Sequence, residues 1–423
     1  MKNIFVSFIA FFTIQCAEAQ DRGTGVLNTL NPIDNSILSK ECKYEVITAL
    51  FDIGVDTTMI DKNRLWSNSK EVSDNIDNDN NGCIDDIHGV SFLANGAMNN
   101  VLLGNPQVDS FKYRKLDTLL DNPLLSKEKR NYYLAQQKLQ SFKLKNKPKF
   151  SDLASVHGTF IMSLIVKGNP KIKIMSLRFG ADEQSNPYKA KIENHVKFFE
   201  TSSDYGNRQT IEIIKEAQIN MARSFREVGK YLKLNNVKVV NLNVHILTKP
   251  EIRQLLSIKQ IDSTEKEILV KQIYESWQSS ITECIGNSSD VLFVTTGCNS
   301  VIDSYANERF PNGFNYPNLI KVGGVDNDGK ITEFTSLDSE IDVYANGKNI
   351  ESILSGVIHK YSSASLATAQ ITNLASKLLA MDSKLKPFQL IKIIISNSNK
   401  SSDGLVVVNS EKVIDFVRKN RKY

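Results

Sequence analysis

Apolar residues dominate several short stretches of the chain: Val46 to Phe51, Ile172 to Phe179, Val237 to Val244, Val291 to Thr295 and Leu319 to Val325. Runs of this length with few polar interruptions predict strands buried on both faces of a parallel sheet. Between two of them, Ile214, Ala217, Met221, Phe225, Val228 and Leu232 recur at steps of three or four, which draws one apolar stripe down a long helix. Leu366 to Met381 has the same character. Strands alternating with helices predict an α/β fold: a doubly wound, mainly parallel sheet with helices on both faces. Two stretches break the alternation, an acidic and amide-rich loop from 74 to 86 and a polar, irregular insertion from about 96 to 150.

The amino terminus belongs to a different category. Lys2 precedes an apolar run from Ile4 to Ile14, and Ala17-Glu18-Ala19 follows as a small-x-small cleavage pattern. Residues 1–19 therefore read as a secretory signal, with 20–423 as a single catalytic-size domain. Secreted or periplasmic residence is the expectation, and no later segment reaches the roughly 18–20 unbroken apolar residues of a membrane span. Removing Lys2 and Glu18 with the leader leaves the net charge at +5 over the remaining 404 residues, too mild an excess for a nucleic-acid partner. Lysines and arginines crowd the insertion from Lys127 to Lys149 and read as a solvated face. Cys42, Cys83, Cys284 and Cys298 remain after processing, an even number where disulfides are permitted, with no spacing suited to zinc.

In open parallel sheets, reactive groups collect beyond the carboxyl ends of strands. Asp52 ends the first apolar run, Asn243 lies near the end of the third, and Asn299 follows the fourth. His157 stands just before the apolar helical run Phe160 to Val166. Ser365, in Ser363-Ala364-Ser365-Leu366-Ala367, stands at the mouth of another helix, where free backbone N–H groups can bind an anion. Each signal alone has a plainer reading as a cap or a structural polar residue. The order Asp, His, Ser along the chain, with an Asn between the last two, is one of the known orders of a nucleophilic triad.

The segments around these residues resemble the subtilisin-like serine peptidases, the subtilases. Ala49-Leu50-Phe51-Asp52-Ile53-Gly54-Val55-Asp56 is similar to the family's aspartate motif, and Val156-His157-Gly158-Thr159-Phe160 to its histidine motif. Phe293-Val294-Thr295-Thr296-Gly297-Cys298-Asn299-Ser300 resembles the segment with the oxyanion asparagine, and Ser363-Ala364-Ser365-Leu366-Ala367-Thr368-Ala369 the serine motif. The resemblance runs from about residue 45 to 381 and implies a subtilisin-like three-layer sandwich. Several positions depart from the family pattern: Phe160 replaces a second histidine, Ser363 and Ala364 replace Gly-Thr, Ala369 replaces proline, and Cys298 replaces glycine.

The resemblance implies a serine endopeptidase in which Ser365 attacks the peptide carbonyl, His157 is the base, Asp52 orients it, and Asn299 with the Ser365 N–H binds the oxyanion. No cofactor is required for that chemistry. Polypeptide substrates would lie extended beside Asn243, Val244 and His245, with Thr296 and Gly297 across the cleft. His245, where the family has glycine, implies a narrow pocket. A Cys284–Cys298 disulfide or a free thiol at Cys298 are the alternatives there, and either would alter the cleft. A non-cleaving peptide- or partner-binding protein and an esterase with the same triad remain alternatives, and a monomer is expected. Separately, Asp77-Asn78-Asp79-Asn80-Asn81-Gly82 places oxygen ligands at alternate positions with glycine at the sixth, as calcium loops do. Asp77, Asp79, Asn81 and Asp85 are the ligands this pattern nominates for a structural calcium ion.

Overall fold

The computed structural model describes residues 40–52, 54–55, 61–92, 98–100, 150–179, 205–243, 248–256, 261–297, 308–335, 340–354, 357–402 and 404–420. The apolar runs become strands: β1 (Val46–Asp52), β4 (Ile172–Phe179), β5 (Val239–Leu242), β6 (Leu292–Thr296) and β7 (Leu319–Val325). They are joined by β2 (Gly89–Phe92), β3 (Met98–Asn100), β8 (Val343–Asn346), β11 (Asn399–Lys400) and β12 (Val406–Val407) in a 10-stranded sheet ordered β11-β12-β8-β7-β6-β5-β1-β4-β2-β3. Pairing is parallel except at the two edges, β2 with β3 and β11 with β12. A separate antiparallel hairpin comprises β9 (Ile350–Leu354) and β10 (Val357–Tyr361).

The chain builds from β1 towards β4 and β2 on one side, then crosses to β5 and continues outward through β6, β7 and β8 on the other. That reversal falls between β1 and β5, and such sheets place their ligands beyond the carboxyl ends of the strands at that point.

Alternation along each strand divides two helical layers. Ala49, Phe51, Met175, Leu177, Val240 and Phe293 face one layer, made by α2 (Tyr205–Leu234) and α4 (Ser263–Asn287), with α3 (Lys249–Leu255) beside it. The stripe anticipated on α2 is its buried face: Ile214, Phe225, Val228 and Leu232 are all buried, and the Phe225 ring stands between Phe51, at 5.0 Å, and Trp277 of α4, at 6.3 Å. The opposite strand faces, including Val46, Leu50, Ile174, Val239 and Val294, meet α1 (Phe150–Ile165) and α5 (Ala364–Met381). Then α6 (Pro387–Ser396) and α7 (Ser410–Asn420) close this layer.

Every residue of α5 except Lys377 is buried, although the helix carries Thr368, Gln370, Thr372, Asn373 and Ser376. Buried hydroxyls and amides need partners. Thr368, Thr372 and Ser376 each donate to the carbonyl one turn back, at 3.0, 2.9 and 2.8 Å. The hydroxyls of Ser376 and Thr372 also meet the sheet, at Thr48 of β1 (2.9 Å) and Asn241 of β5 (2.8 Å). The Asn373 amide donates to the carbonyls of Leu164, Ile165 and Lys167, capping the carboxyl end of α1.

Among the described residues no helix is long and apolar enough to cross a membrane. Cys42, Cys83 and Cys284 are buried free thiols, while Cys298 lies outside the described residues. The insertion carrying Lys127 to Lys149 also lies outside them, as do residues 1–19.

Replacing Asn373 with alanine removes the donor that three carbonyls share at the end of α1. The unfolding free energy is expected to fall by about 1–3 kcal/mol, measured by urea denaturation.

Candidate active site

Period two along β1 sends Thr48, Leu50 and Asp52 to the same face of the sheet, and Asp52, the last of them, meets α1 there. Both carboxylate oxygens of Asp52 contact Nδ1 of His157, at 3.0 and 2.9 Å. Asp52 is 4% exposed, and the His157 side chain is 17% exposed. The histidine lies within α1 rather than just ahead of it, because the helix begins at Phe150, before the apolar run that marks its buried face.

Opposing effects act on the imidazole. Burial disfavours its charged form, but the adjacent Asp52 charge and the hydrogen bond to it prevail, so the His157 pKa is raised above the ordinary histidine value. With Nδ1 held by the carboxylate, Nε2 is the nitrogen left to exchange a proton.

A glycine permits this approach. A Cβ built on Gly158 would stand 2.0 Å from the Gly54 carbonyl oxygen and 3.3 Å from Asp52 Oδ1. Gly54 has a φ of +147°, a conformation that only glycine adopts readily. The chain leaving β1 therefore turns directly beneath the helix that carries His157.

Contacts along α5 locate Ser365 relative to this pair. Thr48 meets Ser376, and Asn241, which is in register with Leu50, meets Thr372. Two residues up the strand thus correspond to one turn back along the helix, so α5 runs antiparallel to the strands and its first turn reaches the level just beyond Asp52. The α1 helix also runs antiparallel to the strands, since its end leads into Ile172, the register partner of Val46. The two helices are parallel, with Asn373 beside Ile165. Counting eight residues back from each reaches Ser365 and His157. Ser365 is 6% exposed, and Leu366 packs with Phe160 and Ile161 in one apolar cluster. As a first-turn residue of α5, Ser365 has a backbone N–H without an intrahelical acceptor.

A polar chain beneath this rim has a direction imposed by the backbone. The Thr368 carbonyl can only accept, so the Thr372 hydroxyl donates to it and accepts from Asn241 Nδ2. Asn241 Oδ1 then accepts from Asn243 Nδ2 at 2.8 Å, which leaves Asn243 Oδ1 as the outward acceptor. That oxygen and Thr296 Oγ1 are buried without a hydrogen-bond partner in the protein. Register between β5 and β6 sets Asn243 across from Thr296, both on the α5 face, and Gly297 continues from there with its N–H donating to Val322. The pattern of the sequence nominated Asn243, Thr296 and Gly297. It missed Asn241, Thr372 and Asn373, whose signal is a polar residue inside an otherwise apolar strand or helix face. Val244, His245 and Asn299 lie outside the described residues.

The acidic loop sits away from this rim, against the carboxyl-terminal end of α2 through Tyr231. There, Asp77 accepts from the backbone of Asn81 and Gly82, and Asp85 from that of Asp74 and Asn75. These two carboxylates close turns. Asp79 and Asn81 face Asn68 and Asp86.

The family model described as the subtilase family matches residues 46–411. No curated protein matches the chain. Among solved structures, a mutant of the protease domain of PatA is 12% identical, with a TM-score of 0.48 over 90% of this chain and 99% of that one. The prenylagaramide maturation protease PagA is 12% identical, with a TM-score of 0.45 over 91% and 98%. A cold-adapted subtilisin-like serine proteinase is 15% identical, with a TM-score of 0.39 over 86% and 87%.

Gly158→Ala is expected to force α1 away from the turn at Gly54, at a cost of about 1–3 kcal/mol in stability. Its His157 imidazole resonances, followed by NMR titration, are expected to titrate closer to the ordinary histidine value as the contact with Asp52 loosens.

Proposed function

The chain belongs to the subtilase family and is a serine-type peptidase, and from that premise we propose that Ser365, His157 and Asp52 are its catalytic triad and cleave peptide bonds through an acyl-enzyme. The observation that carries this reading is the contact of buried Asp52 with His157 Nδ1, at the crevice that the first turn of α5 also enters.

Ser365 Oγ attacks the peptide carbonyl carbon as its proton passes to His157 Nε2. The resulting imidazolium is stabilised by Asp52, and collapse of the tetrahedral intermediate expels the amine, which takes the proton from His157. Water then attacks the acyl carbon with His157 again as base, releasing the acid and restoring Ser365. The developing oxyanion is received by the backbone N–H of Ser365 and the side-chain amide of Asn299, a donor of the kind worth about 3–4 kcal/mol to such a transition state.

The substrate lies extended at the ends of β5 and β6, along Asn243, Val244 and His245 on one side and Thr296 and Gly297 on the other. The unpartnered oxygens of Asn243 and Thr296 support this placement, because a buried acceptor at the crevice is satisfied by a donor that arrives with the peptide. His245, where the family has glycine, supports a preference for small or slender side chains. Residues 1–19 direct the protein out of the cytoplasm, a reading supported by Lys2, the apolar run from Ile4 to Ile14 and the Ala17-Glu18-Ala19 sequence.

A fluorophosphonate probe is expected to label the folded protein and to fail with Ser365→Ala; a folded wild-type protein that resists labelling overturns the triad.

The pH profile supplies a second test. Activity requires neutral His157, so kcat/KM falls on the acid side through a pKa above the histidine reference of 6.5. Asp52→Asn removes the charge that raises that pKa, so the acid limb moves to lower pH while kcat drops by about 10⁴-fold.

A further inference from the structure

We propose that Glu308 and Asn312 close the inner end of the substrate cleft and select a lysine side chain on the residue whose carbonyl Ser365 attacks. The inference rests on the placement of the peptide along Asn243, Thr296 and Gly297, and adds to it the chemistry that the cleft recognises. That residue is singled out because Asn299, the oxyanion donor, follows Gly297 by two positions, so the wall at Gly297 lies beside it.

The loop that carries Glu308 and Asn312 is tied to both walls of the cleft. On one side the Asn312 amide donates to the carbonyl of Gly297, the residue that continues from β6. On the other, the Arg309 guanidinium meets the Glu251 carboxylate at 3.3 Å. Glu251 also accepts from the N–H and the hydroxyl of Thr248, which caps α3 a few residues after β5 ends. The loop therefore bridges the continuations of β5 and β6. Phe310, 0% exposed, holds it against α4, with its ring 5.1 Å from that of Tyr274 and 4.4 Å from that of Phe314. The Gly313 N–H donates to the Arg309 carbonyl at 2.7 Å and closes the turn over residues 309–313.

This loop presents acceptors that nothing in the protein satisfies. The Gly297 carbonyl can only accept, so Asn312 Nδ2 faces it and Oδ1 is left over as an acceptor. Asn312 is 2% exposed, and that oxygen has no hydrogen-bond partner. Glu308 is half-buried, and its Oε2 is buried and equally without a partner. The unpartnered oxygens of Asn243 and Thr296 lie at the same rim. The cations nearby are engaged elsewhere: Arg309 with Glu251, and Lys249 over the Tyr274 ring, 4.7 Å from its centroid. The Tyr274 hydroxyl donates to the Glu308 carbonyl at 2.9 Å, and burial together with the Glu308 charge pushes Tyr274 up to about 12.

A carboxylate oxygen held away from water without a cation is unfavourable, and an ammonium group that arrives with the substrate offsets that cost. Lysine has three donors and no acceptor, which complements Glu308 Oε2 and Asn312 Oδ1 together. An amide side chain supplies fewer donors and no charge. Arginine carries the charge on a broader planar head, whereas the lysine stem is slender enough for a cleft with His245 in place of glycine.

The test compares peptides that differ only at the residue before the scissile bond, with lysine, norleucine, arginine or glutamate there. Ratios of kcat/KM taken on one preparation do not depend on its folded fraction. The wild-type protein is expected to favour lysine over norleucine by about tenfold or more, as a hydrogen bond to a charged group does. Glu308→Gln, which keeps the shape, is expected to abolish most of that ratio, Asn312→Ala to reduce it, and Glu308→Lys to move the preference to glutamate. The same peptides are titrated against Ser365→Ala protein by fluorescence polarisation, so that recognition is read without cleavage. Lysine-selective binding in a protein whose wild type neither cleaves nor labels with a fluorophosphonate upholds the pocket and overturns the triad alone. Cleavage without lysine preference, or a ratio unchanged in Glu308→Gln, overturns this inference and leaves the triad standing. Absence of lysine preference in both cleavage and binding also overturns it.

Discussion

A helix buried along almost its whole length must find partners for its polar side chains inside the protein, and the way α5 does so fixes the geometry around it. Apolar packing alone would leave the helix free to slide or rotate by small amounts, because dispersion contacts have little directionality. Hydrogen bonds that Thr372 and Ser376 accept from Asn241 and Thr48 fix its height on the sheet. The three carbonyls gathered by Asn373 fix its position against α1. Since Asp52 ends the strand that Thr48 begins to line, and His157 rides on α1, the first turn of α5 has one place to be. Asp52 and the first turn of α5, more than 300 positions apart in the chain, are thereby set near the same level of the sheet.

Most of this architecture was legible in the chain because parallel strands buried on both faces cannot hide their composition. Ile172–Phe179 and Leu319–Val325 are strands with the bounds their apolar runs indicate, and the stripe from Ile214 to Leu232 is the core face of α2. What the pattern did not reveal follows from its own logic. The start of α1 at Phe150 escaped because only its later turns show a continuous apolar face. Asn241 escaped because a polar residue within Val-Val-Asn-Leu reads as an interruption until its partner on a distant helix is known.

The acidic loop shows the same limit from another side. Alternation of Asp and Asn suggests a ring of ligands, but short polar side chains also close turns on their own backbone, and spacing cannot separate the two roles. Burial can. Asp77 is engaged by the N–H groups of Asn81 and Gly82, whereas Asp86, beyond the repeating pattern, is fully enclosed beneath Tyr231.

The Asp52–His157 pair links stability to chemistry in opposite directions. Because the folded pKa of His157 lies above its unfolded value, the pair's contribution to stability is fully present below the unfolded pKa and is lost as pH rises through the folded one. The proposed reaction begins from the deprotonated form, in which that electrostatic stabilisation is absent. It returns when the imidazole takes the serine proton, which happens as the transition state is approached. The carboxylate thus acts mainly on the charged form that appears during the reaction and little on the resting one, and an interaction with that asymmetry raises rate rather than merely tightening binding. Burying Asp52 serves this end, since the same charge in water would be screened, and the close approach allowed by Gly158 places it where the new charge forms.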